Sequence, residues 1–346
     1  MTVRLRFTQP GPQTSVQDLG RTGFQAYGVP VCGALDPVAL RLANALVGNA
    51  ETLAALECRL AGPHFTVEGG TARLAVAGAD VTIDVTFEGE TRRFPAWRAI
   101  DVPADASVRV GALSRSGCAV LAVAGGIEVP VVLGSRATDL KGGFGGYQGR
   151  PVGSGDVLPV GPTSPHGRCL ELPSPPELSA SGPLRVVLGP QSEAFTEEGI
   201  ATFLGSTYRV SRDADRMGMR LDGPPLAFRV SADIVSDGIA NGSIQVPGSG
   251  LPIVLLADHQ TIGGYAKVAT VISSDLPAAG RLLPGAELRF TSVSVEEAEV
   301  ARRTLEDDIS RLIASFVPVR EAAHVDEAAL LTENLISGVV SAWESE

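Results

Sequence analysis

Residues 80–90 read DVTIDVTFEGE. Val81, Ile83, Val85 and Phe87 alternate with Thr82, Asp84, Thr86 and Glu88. A period of two puts the apolar side chains on one face of a pleated strand and the polar ones on the other. A strand with one dry and one wet face belongs to an antiparallel sheet. Working outward, CAVLAVAGGI (118–127) and LPIVLLADH (251–259) are short apolar runs stopped by glycine or polar residues, as buried strands are. The 346 residues include 40 glycines and 24 prolines, roughly 18% against an average near 12%. That excess favours tight turns and many short strands. The expected fold class is mainly β.

Two segments break the pattern. In ALDPVALRLANALVGN (34–49), Asp36 is placed to cap a helix, Pro37 to occupy its first turn and Gly48 to end it. Val38, Leu42, Ala45 and Leu46 are expected on one face. Near the end, Ser294 and Glu297 form a capping-box pattern, and Leu305, Ile309, Leu312 and Phe316 recur at helical spacing. Pro318 is expected to stop that helix, with a further one from about Asp326 to Trp343. This acidic, amphipathic tail reads as a surface helix pair packed on the body or on a neighbouring protein.

At about 100–200 residues per domain the length suggests two domains. The Pro-, Ser- and Gly-rich stretch GPTSPHGRCLELPSPPELSASGP (161–183) is the linker candidate. GRPVGSGDVLPV (149–160) and GRLLPGAELRF (280–290) echo one another faintly, which suggests two related β-rich halves. The expected division is 1–170, a linker at 171–183, a second half at 184–292 and a helical tail at 293–346.

Hydrophobic residues make up 44%, enough for a real core. The formal net charge is −11 with no basic run, which argues against nucleic acid as a partner. Cys32, Cys58, Cys118 and Cys169 form no CxxC pair, and no histidine cluster has metal spacing. MTVRLRFTQPGPQTSV lacks the apolar core of a signal peptide, and no apolar run approaches the ~20 residues of a membrane helix. The expectation is a cytoplasmic protein with free thiols, no metal and no membrane contact.

Four polar stretches are candidates for chemistry. In TSVQDLGRTGFQAYGVP (14–30), Gln17, Asp18, Arg21 and Gln25 sit among glycines. They either cap their own loop or bind something. KGGFGGYQGR (141–150) is glycine-rich, but Pro151 and a β run follow it and no Walker pattern occurs, so it reads as a wide turn before a phosphate cradle. In SRDADRMGMRLDG (211–223), Asp213, Asp215 and Arg216 belong to a hairpin tip or bulge. Arg216 there makes a weak surface ion pair or grips a carboxylate with both nitrogens.

DHQTIGGYAK (258–267), with SDGIANGSIQVP (236–247) before it, is the fourth. Residues after a buried strand sit at its exposed end. Gly263 and Gly264 let backbone approach a ligand. Gln260 and Thr261 offer amide and hydroxyl groups, and Lys267 a positive charge for a carboxylate or oxyanion. His259 can move protons, although a lone histidine is more often structural. No GxSxG elbow, HExxH or biotin-attachment lysine occurs. Any chemistry therefore involves substrates shared with other components.

Together these stretches resemble the biotin-dependent-carboxyltransferase-like family, which includes the C component of 5-oxoprolinase, KipA and the second component of allophanate hydrolase. The matching segments are TSVQDLGRTGFQAYGVPVCGALDPVALRLANALVGN, ALECRLAGP, LAVAGGIEVPVVLGSRAT, GGFGGYQGR, DRMGMRL, SDGI, GSIQVPGSGLPIVLLADHQTIGGYAKVATVISSDL and LLPGAELRF, in family order. Ala266, Asp237 and Met219 stand where the family often has proline, glutamate and an aromatic residue.

The resemblance implies two cyclophilin-like β-barrel domains. It also implies a leading function as the C component of an ATP-dependent 5-oxoprolinase, opening 5-oxoproline to glutamate. The partners implied are a KipI-like B component and a LamB/YcsF-like A component, with ATP used through a partner. One alternative is carboxyl transfer in urea or allophanate metabolism with a biotin protein in trans. Another is a KipA-like regulator that binds a KipI-like kinase inhibitor. For a small amide substrate, Lys267 and Arg216 are assigned to anion binding, and Gln260 and Thr261 to the amide. Asp258 is assigned as orienter or base. Gly263, Gly264, Tyr265, Gln17 and Asp18 are expected to complete the lining.

Overall fold

Glycine and proline turns cut the chain into short, mostly antiparallel strands. The computed structural model describes residues 2–162, 167–178 and 182–320. The first part holds two sheets. One has six strands in the order Val157–Pro159, Arg4–Gln9, His64–Glu68, Ser107–Val110, Thr82–Phe87 and Glu90–Pro95. The other has five, ordered Gln13–Gln17, Ala55–Arg59, Cys118–Val123, Ala72–Ala77 and Ala99–Val102.

The alternating segment lies in the first of these sheets. Ile83 and Val85 are buried opposite Val110 and Val108. Phe87 departs from the expected dry face. It sits at the tip of a hairpin where Glu88 and Gly89 both adopt positive φ, past the end of the core. Cys118–Val123 is buried along its whole length because it lies centrally in its sheet under a helix.

That helix, α1, spans Pro37–Leu46. Asp36 caps it by accepting from Ala39 N at 2.9 Å, and Gly48 follows its end at φ 81°. Its buried face comprises Ala39, Leu40, Leu42, Ala43, Asn44 and Leu46, wider than the expected stripe, while Val38 and Ala45 are only half-buried. The helix is pressed onto Ala72–Ala77 and Cys118–Val123, which removes water from more than one side.

The second part is built on one eight-stranded sheet: Glu287–Leu288, Tyr208–Val210, Gly218–Asp222, Ile253–Leu255, Ser243–Gln245, Lys267–Val271, Leu184–Leu188 and Phe290–Ser292. The first and last strands in that order are separated in sequence by Arg289 alone. A sheet whose two edges join through one residue has to curl until they meet, so it is nearly a closed barrel. Helix α2, Glu197–Gly205, and α3, Leu276–Arg281, flank it. Phe203 stacks on Phe290 inside at 4.6 Å between ring centres. Asp233–Gly238 and Ile262–Tyr265 form a separate two-stranded ribbon.

Helix α4, Val295–Ala314, begins at the capping box of Ser294 and Glu297. It returns to the first core: Ile309 is buried there, with Leu305, Leu312 and Phe316 against it. Pro318 does not terminate this helix. The helix ends at Ala314, where Ser315 N bonds Arg311 O, and Val317–Pro318 pairs with Leu170–Glu171. The helix expected from about Asp326 to Trp343 lies outside the described residues. No described helix is long and apolar enough to cross a membrane.

Candidate functional site

Ile253–Leu255 delivers the chain to a turn at 256–261, and the ribbon strand Ile262–Tyr265 then leads into Lys267–Val271. Lys267 thus enters the barrel wall with its ammonium directed beneath the ribbon, at 1% exposure. Its Nζ donates to Asp237 Oδ2 at 2.9 Å, and Asp237 belongs to the opposite ribbon strand. Gln191 braces this pair. Its Oε1 accepts from Lys267 N at 3.2 Å, and its Nε2 donates to Asp237 Oδ2 at 3.2 Å. Donation by Lys267, then by Gly238 N and Gln191, holds the Asp237 carboxyl below its usual range.

Gln245 stands opposite Lys267 in the barrel register. Its Oε1 accepts from Gln260 Nε2 at 3.3 Å, and its buried Nε2 has no partner among the described residues. Gly263 is required beside it. A Cβ there would come within 2.7 Å of Ile239 Cδ1 and closer still to Gln245 Nε2. Two polar groups, Lys267–Asp237 braced by Gln191 and Gln245–Gln260, therefore lie side by side in the barrel register as a polar basin under the ribbon. Thr261 is nearly buried at the ribbon's start, and Tyr265 is 42% exposed at its end. The basin supplies an ammonium with one acceptor and an unused amide N–H, which suits a carbonyl oxygen gaining negative charge.

Sequence reading missed Gln191 and Gln245. Gln245 alternates with Ile244 in a short strand, which signals only a side chain on the opposite face. Gln191 reaches Lys267 across 76 positions and leaves no local signal.

The expected anion-binding Arg216 and the expected base Asp258 belong elsewhere. Arg216 is buried, and its Nε and Nη2 each donate to Asp258 at 2.9 Å. Its Nη1 donates to Glu57 Oε1, and Nη2 also to Gly33 O at 2.6 Å. Burial alone lowers the guanidinium's affinity for its proton, but Glu57 and Asp258 more than offset this. Arg216 does hold a carboxylate with two nitrogens, but that carboxylate is Asp258. Neither group is left over for a substrate, because every polar atom is engaged inside the protein.

Asp18 is likewise committed. It accepts from Gly20 N at 2.8 Å, Ser135 Oγ at 2.6 Å and Arg136 N at 2.6 Å, so it caps its own loop. Gln17 Nε2 bonds Ser15 Oγ and Thr138 O, and its Oε1 is buried without a partner among the described residues. None of these bonds reaches the basin under the ribbon. In the glycine-rich turn, Lys141 N and Gly142 N donate to Asp139 Oδ1, Gly143 N to Asp139 O, and Gly146 N to Arg136 O. These amides are occupied, which is the wide turn expected of 141–150. His259 Nδ1 donates to Gln260 O at 2.7 Å, and its Nε2 has no partner among the described residues. Burial lowers its pKa, opposed by Gln260 O and Asp258. Among the described residues, no group of three or more His, Cys, Asp or Glu side chains is placed to hold a metal ion.

The sequence profile described as "Carboxyltransferase domain, subdomain A and B" matches residues 27–292. The chain is 36% identical to the C component of 5-oxoprolinase from Escherichia coli (strain K12) over 302 residues, covering 86% of this chain and 94% of that one. It is 33% identical to the C component of 5-oxoprolinase from Haemophilus influenzae over 306 residues, 87% of this chain and 96% of that one. Among solved structures it is similar to the Kluyveromyces lactis urea carboxylase, with a TM-score of 0.83 and 29% identity. That match covers 92% of this chain but only 30% of the carboxylase.

Proposed function

The chain belongs to the carboxyltransferase-domain family, subdomain A and B, and on that premise we propose that it is the C component of an ATP-dependent 5-oxoprolinase. The observation that carries this reading is likeness along nearly the whole length of both chains to a protein of that name, at 36% identity. We propose that it works in the cytoplasm with a LamB/YcsF-like A component and a KipI-like B component. We further propose the division 1–170, 171–183, 184–292 and 293–346; the break before Leu184 is supported by a second core that runs from Leu184 to Phe290 and takes only Leu35 and Cys118 from the first part, whereas buried Leu172 and Leu178 attach the 171–178 segment to the first core.

In this reading the lactam carbonyl lies in the basin under the ribbon. Lys267 Nζ, which among the described residues has Asp237 as its one acceptor, and Gln245 Nε2 donate to the oxygen as water adds to the carbonyl carbon and the ring C–N bond breaks, the nitrogen leaving protonated as the amine of glutamate. Asp237 holds the ammonium in place, and Gln191 and Gln260 fix the two donors. ATP supplies the driving force through a partner, since the glycine-rich turn spends its amides internally. The test is reconstitution with both partners, ATP and 5-oxoproline. Glutamate release should depend on this chain, and an unchanged rate without it would end the assignment.

The likeness to urea carboxylase favours one second reading, carboxyl transfer from a biotin protein in trans. Loss of label from a carboxylated biotin protein, dependent on this chain and on urea, would support that reading over the first.

A further inference from the structure

Helix α4 is 20 residues long, yet Ile309 is its one fully buried residue. One flank of the helix lines two hollows of about 500 and 490 Å³. The hollows share Ser274, Leu305 and Asp308, so they form one groove that follows α4 from Ser315 back to Glu296. At 1.5 Å per residue that course is roughly 28 Å long. Val300, Leu305 and Leu312 line its α4 side, whereas Trp97, Pro277 and Ala278 line the other. The walls thus come from α4, from the first core and from α3 of the barrel. Val300 is left 57% exposed.

The chain leaves the described residues beside this groove. Val317–Pro318 pairs with Leu170–Glu171, and Glu171 in turn bridges to Arg98, next to the Trp97 wall. Two strand spacings, about 10 Å, therefore separate the last described strand from that wall. Beyond it, Glu321 to Val325 can span up to about 17 Å. The sequence from Asp326 to Trp343 then has a helical period. At 100° per residue, Leu331, Leu335, Ile336, Val339 and Trp343 fall on one side, and Asp326, Glu333, Ser337 and Glu344 fall on the other. A helix over that stretch is about 27 Å long, the length of the groove. Its apolar side carries no charge, so its carboxylates turn away from Glu296, Glu297 and Asp308 in the groove. A helix of this kind owes most of its stability to packing its apolar face, and the groove is the nearest surface that offers such packing.

We propose that the groove takes the chain's own 326–343 segment, as a helix antiparallel to α4. Docked there, the segment covers Val300 and the half-buried Leu305 and Leu312, and it bridges the first core to α3 of the barrel. The docking is independent of the reaction proposed above.

The test uses the full-length chain. It has two tryptophans, and Trp97 is 4% exposed, so quenching of tryptophan fluorescence by acrylamide reports chiefly on Trp343. Trp343 should be quenched several-fold less in wild type than in Leu335→Asp, which puts a charge on the apolar side of the segment. Val300→Asp, at an exposed position in the groove, should uncover Trp343 to the same extent while the melting temperature of the body stays close to wild type. Free quenching of Trp343 in the wild-type chain overturns the docking, as does equal protection in wild type and Val300→Asp. Protection that disappears on dilution overturns it too, because the segment then sits on a second copy. Protection that appears only when another protein is added gives the groove or the segment to a partner and also sinks the proposal.

Discussion

Lys267 is a buried ammonium whose one side-chain acceptor among the described residues, Asp237, is about half-exposed at the rim. That asymmetry separates function from stability. Replacing Lys267 with Met keeps most of the buried stem and leaves Asp237 free to hydrate, so folding should change little. Loss of an oxyanion donor costs about 3–4 kcal/mol of transition-state stabilisation, roughly a hundred- to thousand-fold in rate. Glutamate release by the reconstituted complex, with melting temperature alongside, reads both effects. Near-normal turnover in a folded Lys267→Met complex removes the residue from the site. His259 yields a different prediction. Its folded pKa lies below the unfolded value near 6.5, so the unfolded chain takes up the proton first. Its share of stability is therefore present above that value and lost as pH falls through the folded pKa. Melting temperatures from pH 8 to 5 should fall less steeply in His259→Gln than in wild type; parallel slopes would sink the idea.

The two-stranded ribbon is the element that turns scattered polar residues into a basin. Ile262–Tyr265 covers Gln245, and the glycine at 263 lets it lie close. Gly263→Ala should push the Gln245 amide off its position and displace the Ile239 side-chain tip, leaving the rest of the barrel core in place. A displacement of that order costs roughly ten- to a hundred-fold in kcat. Unchanged kcat in Gly263→Ala would mean that Gln245 is not a donor. Elements governed by neighbours were legible in the sequence. The cap at Asp36, the capping box at Ser294 and Glu297, and the alternation of Val81, Ile83 and Val85 all act within a few residues. The loop at 258–267 was legible as a run of polar groups for the same reason, since they are consecutive. What was not legible depends on distance along the chain. Arg216 meets Asp258 across 42 positions and Glu57 across 159, and no local pattern separates a buried clamp from a substrate-binding arginine. Phe87 and Pro318 departed from expectation because hairpin geometry and an early helix end decided their places.

The whole molecule is tied together by that clamp. Arg216 and Asp258 come from the barrel, whereas Glu57 and Gly33 come from the first part. Glu57 Oε2 also accepts from Leu35 N at 2.7 Å, and Leu35 is buried in the barrel's core. Further ties are Cys32 N to Ala257 O at 3.1 Å and Arg281 Nη1 to Asp36 Oδ2 at 2.6 Å. With so many bonds crossing between them, the two cores should unfold in one cooperative transition. Removing the arginine strands two buried carboxylates, and breaking a buried pair in this way costs about 3–5 kcal/mol. Arg216→Ala should therefore lower the melting temperature by several degrees. Amide exchange should rise in Cys118–Val123 and Lys267–Val271 together. Replacing all three charged residues, as Glu57→Leu, Arg216→Met and Asp258→Leu, removes the stranded charges and should recover most of the loss. The comparison separates a clamp from a binding site. A binding arginine would leave stability intact when removed, and its loss would appear in KM. If Arg216→Ala melts like wild type, or if only one core exchanges faster, the clamp is not what joins the two parts.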